Sequence, residues 1–547
     1  MMVDVDPFLM SFYFGNRNHN RFPQFNGIHK DATTNHIIAN YEQICQTYPP
    51  DVLEAQGSLP KALIEELKAL SFFGLSIPCE YGGLGLTLYQ YLKVVEAVIG
   101  HNMALGLTGI AHLSIGVKGI VLFGNESQKR RYLVPAASGE MIFSYALTEP
   151  KHGSDAQHIE TSVLPSEDGQ YYFLNGSKAY ITNANYAGAM TVFAQMDPKK
   201  PGYMGAFIVE TDWQGVKIGK DIPKMGLKAS STAAVHFQNV KVPAENLIGR
   251  PGDGFKIAMT ILNYGRWALG AASSGMMKKS LQAMQKRAAT REQFGQTINH
   301  FELIQEKMVK AKVNSYVSST MTAFTAGLLD QNPMANVAIE SSHCKLFGTT
   351  RAWNVLYDAL QVAGGSGYLA TQPYERRMRD FRVTTIFEGT TEIHSVYPAL
   401  TLMRIMGKRL QNHTRPKIFL LARGLRTLFS TTHLDIDKQT DTVKRAVRFS
   451  KWTAVLIRIL IFFGLIVYKE KVYQRQFFLR RITNLSMYCL GIIAVATRIN
   501  AARPNHDILD EDLQYLAFFL EEARIYRRGC LQILPTKHDI ITNRIYQ

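Results

Sequence analysis

Cysteine is scarce in this 547-residue chain. The five present, Cys45, Cys79, Cys344, Cys489 and Cys530, are scattered, odd in number, and form no CxxC pair. That argues against a disulfide framework and a zinc site, and it fits a reducing compartment. Charge is sparse too, at 19% of residues against 46% apolar, an ordinary globular mix in which disorder does not dominate. At the N-terminus Asp4 and Asp6 come before any apolar run. This speaks against a secretory signal and against an Arg-rich, acid-poor transit peptide. The apolar stretch Trp452 to Tyr468 has 17 residues and is interrupted by Arg458, short of the roughly 20 that a span needs. The expectation is a cytoplasmic or mitochondrial-matrix type of protein with no transmembrane span.

What is present is length and an uneven charge. A chain of this size exceeds one hydrophobic core and implies three or four domains. Residues 404–547 hold 25 Lys and Arg against 11 Asp and Glu, a net of +14 out of the chain's +17. A basic tail on a near-neutral body suggests an anionic partner for the tail.

Periodicity orders the chain. After an N-terminal extension (1–35), residues 36–140 carry apolar positions at three- and four-residue spacing, as in Leu63 to Leu70, and read as a helical domain. From 141 to 250 the period shortens. Turn signals at Ser166 to Gly169 and at Asn175-Gly176 separate strand-like runs, and Val235, Phe237 and Val242 fall on one side, which reads as a mainly antiparallel β domain. Helical spacing returns over 251–410, with long helices expected at 254–289, 302–330 and 335–363. Residues 411–547 are helical, basic and apolar. The fold class is therefore α+β, mainly α: an N-terminal helical domain, a middle antiparallel β domain, a C-terminal helical bundle, and an added C-terminal helical domain.

Four segments could carry chemistry. Tyr145-Ala-Leu-Thr-Glu-Pro-Lys-His-Gly-Ser-Asp155 runs from a strand into a turn rich in hydroxyl and backbone donors, suited to a flat polar ring or a phosphate. Leu174-Asn-Gly-Ser-Lys-Ala-Tyr-Ile-Thr-Asn183 reads as a hairpin with Tyr180 and Thr182 on one face. Gln361-Val-Ala-Gly-Gly-Ser-Gly-Tyr368 follows a helix, so it lacks the strand–glycine–helix order of a dinucleotide fingerprint. In Ile386-Phe-Glu-Gly-Thr-Thr-Glu-Ile393, Glu388 has apolar neighbours, which disfavour its charged form and raise its basicity. Alone, Glu388 reads rather as an acidic residue facing the dipole of a helix that starts near Thr391.

Together, in this order and spacing, these motifs resemble the acyl-CoA dehydrogenase family over residues 36–405, most like the very-long-chain branch with its extra C-terminal helical domain. Phe72 to Gly83, Ile261-Leu-Asn-Tyr-Gly-Arg266, Arg291-Glu-Gln-Phe-Gly295 and Leu303-Ile-Gln-Glu-Lys307 support the match. The resemblance implies FAD as cofactor and Glu388 as the catalytic base. It places the flavin against Tyr145, Leu147, Thr148, Gly153 and Ser154, and against Tyr180, Ile181 and Thr182. Arg291, Phe294, Gln361, Val362, Gly364 and Gly365 match positions that reach the FAD of a neighbouring subunit, so a homodimer is implied. Thr390 and Glu392 lie beside the cofactor. Ser154, Asn263, Arg266 and Gly389 match substrate positions. The implied reaction converts a fatty acyl-CoA to its trans-2-enoyl-CoA, with electron-transfer flavoprotein as acceptor.

Some branches of the family carry the base on the long helix near residue 265. Here that position is Gly265, which leaves Glu388. Tyr180 stands where most relatives have tryptophan. Gly106 and Gly109 lie where the acyl tail ends in the family, and read equally as room for a long chain or as helix packing. Basic residues flank the apolar run at 452–468, which suits peripheral membrane contact through 411–547, or burial in an added bundle. An oxygen-using oxidase, a DNA-binding flavoprotein of the alkylation-response type and a low-turnover assembly scaffold are the alternatives. Because the basic residues flank apolar runs, lipid fits better than nucleic acid.

Overall fold

The computed structural model describes residues 6–14, 31–197, 199–411, 440–502 and 509–530, with positions 434, 436, 539, 541, 542 and 545. Much of the expected N-terminal extension, and residues 412–433 of the basic region, lie outside the described residues. The chain divides into two compact units, one of residues 29–311 and 351–388, the other of 1–28, 312–350 and 389–547.

The first unit opens with helices α2 (Ala32–Thr47) to α8 (Glu126–Ser138). Local chemistry marks their starts. Asp31 accepts from the amides of Thr33 and Thr34, and capping boxes Thr87/Gln90 and Asn125/Gln128 begin α5 (Leu88–His101) and α8. A π-helical turn, Ala111–Gly116, interrupts the run between α6 (Met103–Ile110) and α7 (Lys118–Phe123). Within it His112 is buried. Its Nε2 donates to the carbonyls of Phe73 and Ala136, and its Nδ1 accepts from the Phe143 amide. Burial pushes its pKa down to about 4, so this histidine is a neutral strut.

The eight-stranded sheet comprises β1 (Ile142–Ala146), β2 (Ser162–Pro165), β3 (Tyr171–Thr182), β4 (Ala187–Gln195), β5 (Met204–Glu210), β6 (Val216–Ile218), β7 (Thr232–Pro243) and β8 (Leu247–Ile248); it runs β6-β7-β3-β2-β4-β5-β8, with β1 beside β4. Most neighbours are antiparallel, as expected, but β1 and β2 (Ser162–Pro165) both pair with β4 in parallel, so the sheet is mixed. One expectation fails here. Asn175-Gly176 is not a hairpin turn; it lies inside the continuous strand β3 (Tyr171–Thr182). Register shifts there against β7 (Thr232–Pro243), and Gly176 has φ +144. A glycine in that conformation relaxes the strand as a bulge, and a Cβ would sit 2.5 Å from Thr161 Oγ1. On β7, Val235, Phe237 and Val242 are all buried although 242 has the opposite parity; left-handed Asn239 (φ +51) absorbs the change.

Helix α9 (Gly254–Thr290) has 37 residues, and every one from Ile261 to Met277 is buried. A helix buried all round belongs to a core. At Gly275 a Cβ would meet the Glu96 carbonyl oxygen at 2.1 Å, so glycine lets the backbones of α5 and α9 approach. Helices α10 (Glu302–Gln331) and α11 (Ala338–Ala363) follow, then α12 (Pro373–Arg382). The three long helices lie within three residues of their expected limits.

The second unit is helical: α1 (Phe8–Phe14), α13 (Thr391–Gln411), α14 (Asp441–Phe463), α15 (Gln476–Ala501), α16 (Leu509–Gly529), and the adjoining parts of α10 and α11. Residues 8–14, read from sequence as an extension, are packed here. Leu9 N donates to buried Glu340 Oε1 at 2.8 Å, Tyr13 and His343 both reach Ser486 Oγ at 2.8 Å, and Phe8 packs edge-on to Phe324. Burial pushes the Glu340 carboxyl up to about 7 and the His343 imidazole down to about 3.

Among the described residues, three helical stretches are long and apolar enough by length and composition to cross a membrane: Met103–Phe123, Asp441–Gln474 and Gln476–Ala501. The expectation of no span rested on the 17-residue run alone, and the helix that contains it continues through the basic flanks. The first and third are 83% and 89% buried in protein, whereas the middle one is only 44% buried. Arg458, the charge interrupting it, points inward and is fully buried. Trp452, Ile459, Ile466, Val467 and Tyr473 are the exposed large hydrophobic residues of that stretch.

Candidate active site

Glu388 follows the short 3-10 turn Val383–Thr385 and precedes α13. It has φ +56, and Gly389 after it has φ +95. Two successive left-handed residues, one of them not glycine, are uncommon, and such strain concentrates at working sites. The backbone turn aims the carboxylate at α9: a Cβ on Gly265 would lie 3.0 Å from Glu388 Oε2 and 2.9 Å from Ile115 Cγ2. Glycine at 265 thus leaves the space the carboxylate fills. Arg266 Nε donates to the Glu388 carbonyl at 3.4 Å, and its Nη1 donates to Asn263 Oδ1 at 3.3 Å; both residues are buried. The Tyr145 hydroxyl donates to the Ala258 carbonyl at 3.3 Å. Burial, reinforced by the negative charge of Glu388, holds this phenol well above its usual range against the opposing Arg266. The structure therefore gathers Glu388, Tyr145, Asn263 and Arg266 around the middle of α9.

A second group lies on the sheet. Leu147 is buried, Ile181 is buried, and Thr148 and Thr182 are half-buried. The Thr148 carbonyl accepts from the Ala179 amide at 2.9 Å, joining the two motif segments. Tyr180 has φ +58 and is 65% exposed, an aromatic ring standing clear of the core. Gly153 and Ser154 lie on an exposed turn.

A third group is also exposed. Arg291 ends α9, Phe294 tips the hairpin Glu292–Thr297 at 94% exposure, and Gln361, Gly364 and Gly365 lie exposed at the end of α11, where Val362 turns inward. Arg287 donates to the Ala363 carbonyl at 3.4 Å, linking the two helix ends.

In the other unit, Thr390 Oγ1 accepts from the Ile393 amide and caps α13, whose first turn carries exposed Glu392. Lys345 Nζ donates to the Gly389 carbonyl at 2.5 Å, and Ser342 Oγ is 2.7 Å from His394 Nδ1. A Cβ on Gly389 would stand 2.7 Å from His394 Nε2, so position 389 needs glycine twice over. Sequence reasoning missed Lys345 and His394. It also missed Lys178 and Glu149, one on each of the two motif segments and paired in the interior.

Family models for the acyl-CoA dehydrogenase N-terminal, middle and C-terminal domains match residues 36–140, 144–240 and 252–396. The very long-chain specific acyl-CoA dehydrogenase of Homo sapiens, a mitochondrial protein, is 35% identical over 533 residues, covering 92% of this chain and 80% of the relative.

The chain belongs to the acyl-CoA dehydrogenase family.

Among solved structures, the acyl-CoA dehydrogenase of Bacillus anthracis complexed with FAD is similar at a TM-score of 0.82 and 28% identity, over 95% of this chain and 90% of that one. The butyryl-CoA dehydrogenase of Megasphaera elsdenii reaches 0.65 and 32%, over 69% of this chain and 100% of that one. Like its family, the protein is an FAD-dependent oxidoreductase. The residues present suit that cofactor. Tyr180 offers an open aromatic face, and a Cβ at Gly153, Gly364 or Gly365 would meet nothing within 4 Å. The acyl-tail glycines are different. A Cβ on Gly106 would strike Ile99 Cδ1 at 2.5 Å, and one on Gly109 would strike Phe72 at 2.6 Å, so both serve helix packing.

Proposed function

We propose that the protein oxidises long-chain fatty acyl-CoA to trans-2-enoyl-CoA, with Glu388 removing the α-proton. One observation carries this reading: the Glu388 carboxylate sits against Gly265, with Arg266 on the Glu388 carbonyl. Bound FAD would accept the β-hydrogen as hydride, and Tyr145, Leu147, Thr148, Gly153, Ser154, Tyr180, Ile181 and Thr182 would hold it. The left-handed turn at 388 and 389 fixes the carboxylate before substrate arrives, so little reorganisation is needed at proton transfer. Asn263 and Arg266 would shape the thioester side. Phe294 and Leu303, at 94% and 74% exposure, support the homodimer in which Arg291, Phe294, Gln361, Val362, Gly364 and Gly365 would complete the partner's cofactor site.

A long acyl chain is favoured by the very-long-chain relatives rather than by Gly106 and Gly109. Electron-transfer flavoprotein is the proposed acceptor; one similar solved structure is described as the electron transferring flavoprotein of Acidaminococcus fermentans. The exposed apolar face of Asp441–Gln474 lies between Lys444, Arg445 and Arg448 on one side and Lys469, Lys471 and Arg475 on the other. That pattern supports peripheral contact with an anionic membrane in a matrix or cytoplasmic setting.

Anaerobic titration with acyl-CoAs of increasing length tests the activity. Flavin bleaching that strengthens with chain length is expected; no bleaching at any length contradicts the reading. Rapid reoxidation of the reduced enzyme by oxygen would favour an oxidase instead.

A further inference from the structure

Lys178 is among the largest fully buried side chains of the protein, in the middle of β3. Its Nζ donates to Glu149 Oε1 at 2.7 Å and to the Leu147 carbonyl at 3.1 Å. Glu149 is itself buried and accepts the amides of Glu160 at 2.6 Å and Thr161 at 3.0 Å. Burial lowers the Lys178 pKa to about 8, with Glu149 opposing. Burial tends to raise Glu149, but Lys178 and the two amides hold it below the usual range. The pair is therefore ionised at neutral pH. One partner alone would be costly to bury, so both are needed together.

The position of this pair is informative. Glu149 lies within the segment 145–154, one residue after Thr148, and Lys178 lies two residues before Tyr180. Both carbonyls of Leu147 and Thr148 are taken by β3, one by the Lys178 ammonium and the other by the Ala179 amide. In a trans peptide the N–H points opposite the carbonyl. With the Leu147 carbonyl held on β3, the Thr148 N–H is turned to the other side.

We propose that Lys178 and Glu149 are positioning residues for the flavin, an ion pair that clamps Leu147 and Thr148 onto β3 and fixes Thr148 relative to Tyr180. The proposal rests on the reading that these segments face the flavin ring. It assigns the pair a function beyond closing the end of the sheet: without it the two flavin-holding segments lose their common register, and the ring is held loosely.

The double variant Glu149→Gln, Lys178→Met removes both charges at nearly constant volume, a replacement that buried pairs often tolerate without loss of folding. It is compared with wild type by circular dichroism melting, by fluorescence of released FAD, and by the visible flavin spectrum. The expected result is a folded protein whose FAD dissociation constant rises about tenfold or more, the lower end of losses seen when supporting groups behind a bound centre are removed, with a blurred flavin band. In turnover, kcat should fall while KM for acyl-CoA stays. A folded variant with wild-type FAD affinity and spectrum overturns the proposal. If the double variant does not fold, Glu149→Asp, which keeps the charges and shortens the reach, takes the same readouts and decides in the same way. A wild-type protein that retains no FAD contradicts the cofactor reading, whereas equal binding by wild type and variant contradicts the clamp alone.

Discussion

Helices α9 and α14 use the same materials in opposite ways. Both are long and largely apolar. On α9 the whole central stretch is buried, and its polar residues Asn263 and Arg266 are inside, hydrogen-bonded to each other and, through Arg266, to the Glu388 carbonyl. On α14 an arginine is also inside, but Trp452 and Ile459 are outside. The buried arginine on α9 donates to the Glu388 carbonyl. That on α14 leaves the outward face between Trp452 and Val467 free of charge. Sequence composition alone does not separate the two, since each reads as an apolar helix with an interrupting cation. Burial separates them: α9 is enclosed through its central stretch, whereas α14 keeps large apolar side chains on the outside.

The largest effect should come from the α9 side of this contrast. Glu388→Gln should lower turnover about 10⁴-fold, the upper range for losing a general base, with FAD still bound. Steady-state assays with flavin absorbance check it, and near-normal turnover would break the assignment. Next, Gly265→Ala places a methyl group against the carboxylate and Ile115. Turnover should fall about 100-fold, as expected for a misplacement near 1 Å. Binding of acyl-CoA, followed by the flavin spectrum, should persist.

The α14 side is sharpened by replacing Trp452, Ile459, Ile466 and Val467 with serine. Sedimentation with anionic phosphatidylserine vesicles should fall at least about tenfold, since each large side chain contributes roughly 1.5–3 kcal/mol when buried. Turnover on soluble substrate should be unchanged. Unaltered vesicle binding would make the outward face irrelevant to membranes, and salt-sensitive binding to duplex DNA instead would favour nucleic acid.

The smallest effect concerns Glu340 in the same unit. Its folded pKa of about 7 exceeds its ordinary value of 4.5. Below 4.5 the carboxyl is protonated whether the chain is folded or unfolded, and its contribution to stability is intact. That contribution is lost as pH rises from 4.5 to about 7, by about 3 kcal/mol in all. Melting temperatures of wild type and Glu340→Gln should therefore diverge in slope across this window, with the variant flatter. Parallel curves would contradict the buried, raised carboxyl.

Much of this was legible in the sequence, for physical reasons. Three- and four-residue spacing located α9, α10 and α11, and alternation located the sheet. The motifs named Glu388 and the residues around it. What was not legible was anything that depended on a left-handed residue or a distant partner. Asn175-Gly176 has the composition of a hairpin turn, and only its pairing with β7 makes it a bulge. Glu388 and Tyr180 carry positive φ without being glycine. Lys178 and Glu149 each look like a solvated charge until the fold brings them together. Helix α1 is short, and its burial depends on residues more than 300 positions away.

The central claim is that Glu388 delivers a carboxylate to the space beside Gly265. It is tested most directly by moving that carboxylate. Anaerobic bleaching of bound flavin by a long-chain acyl-CoA should be compared in wild type, Glu388→Gly, and Glu388→Gly combined with Gly265→Glu. The account predicts fast bleaching in the first, none in the second, and partial recovery in the third, because the new carboxylate enters the vacated space from α9. Bleaching in Glu388→Gly at the wild-type rate would contradict it.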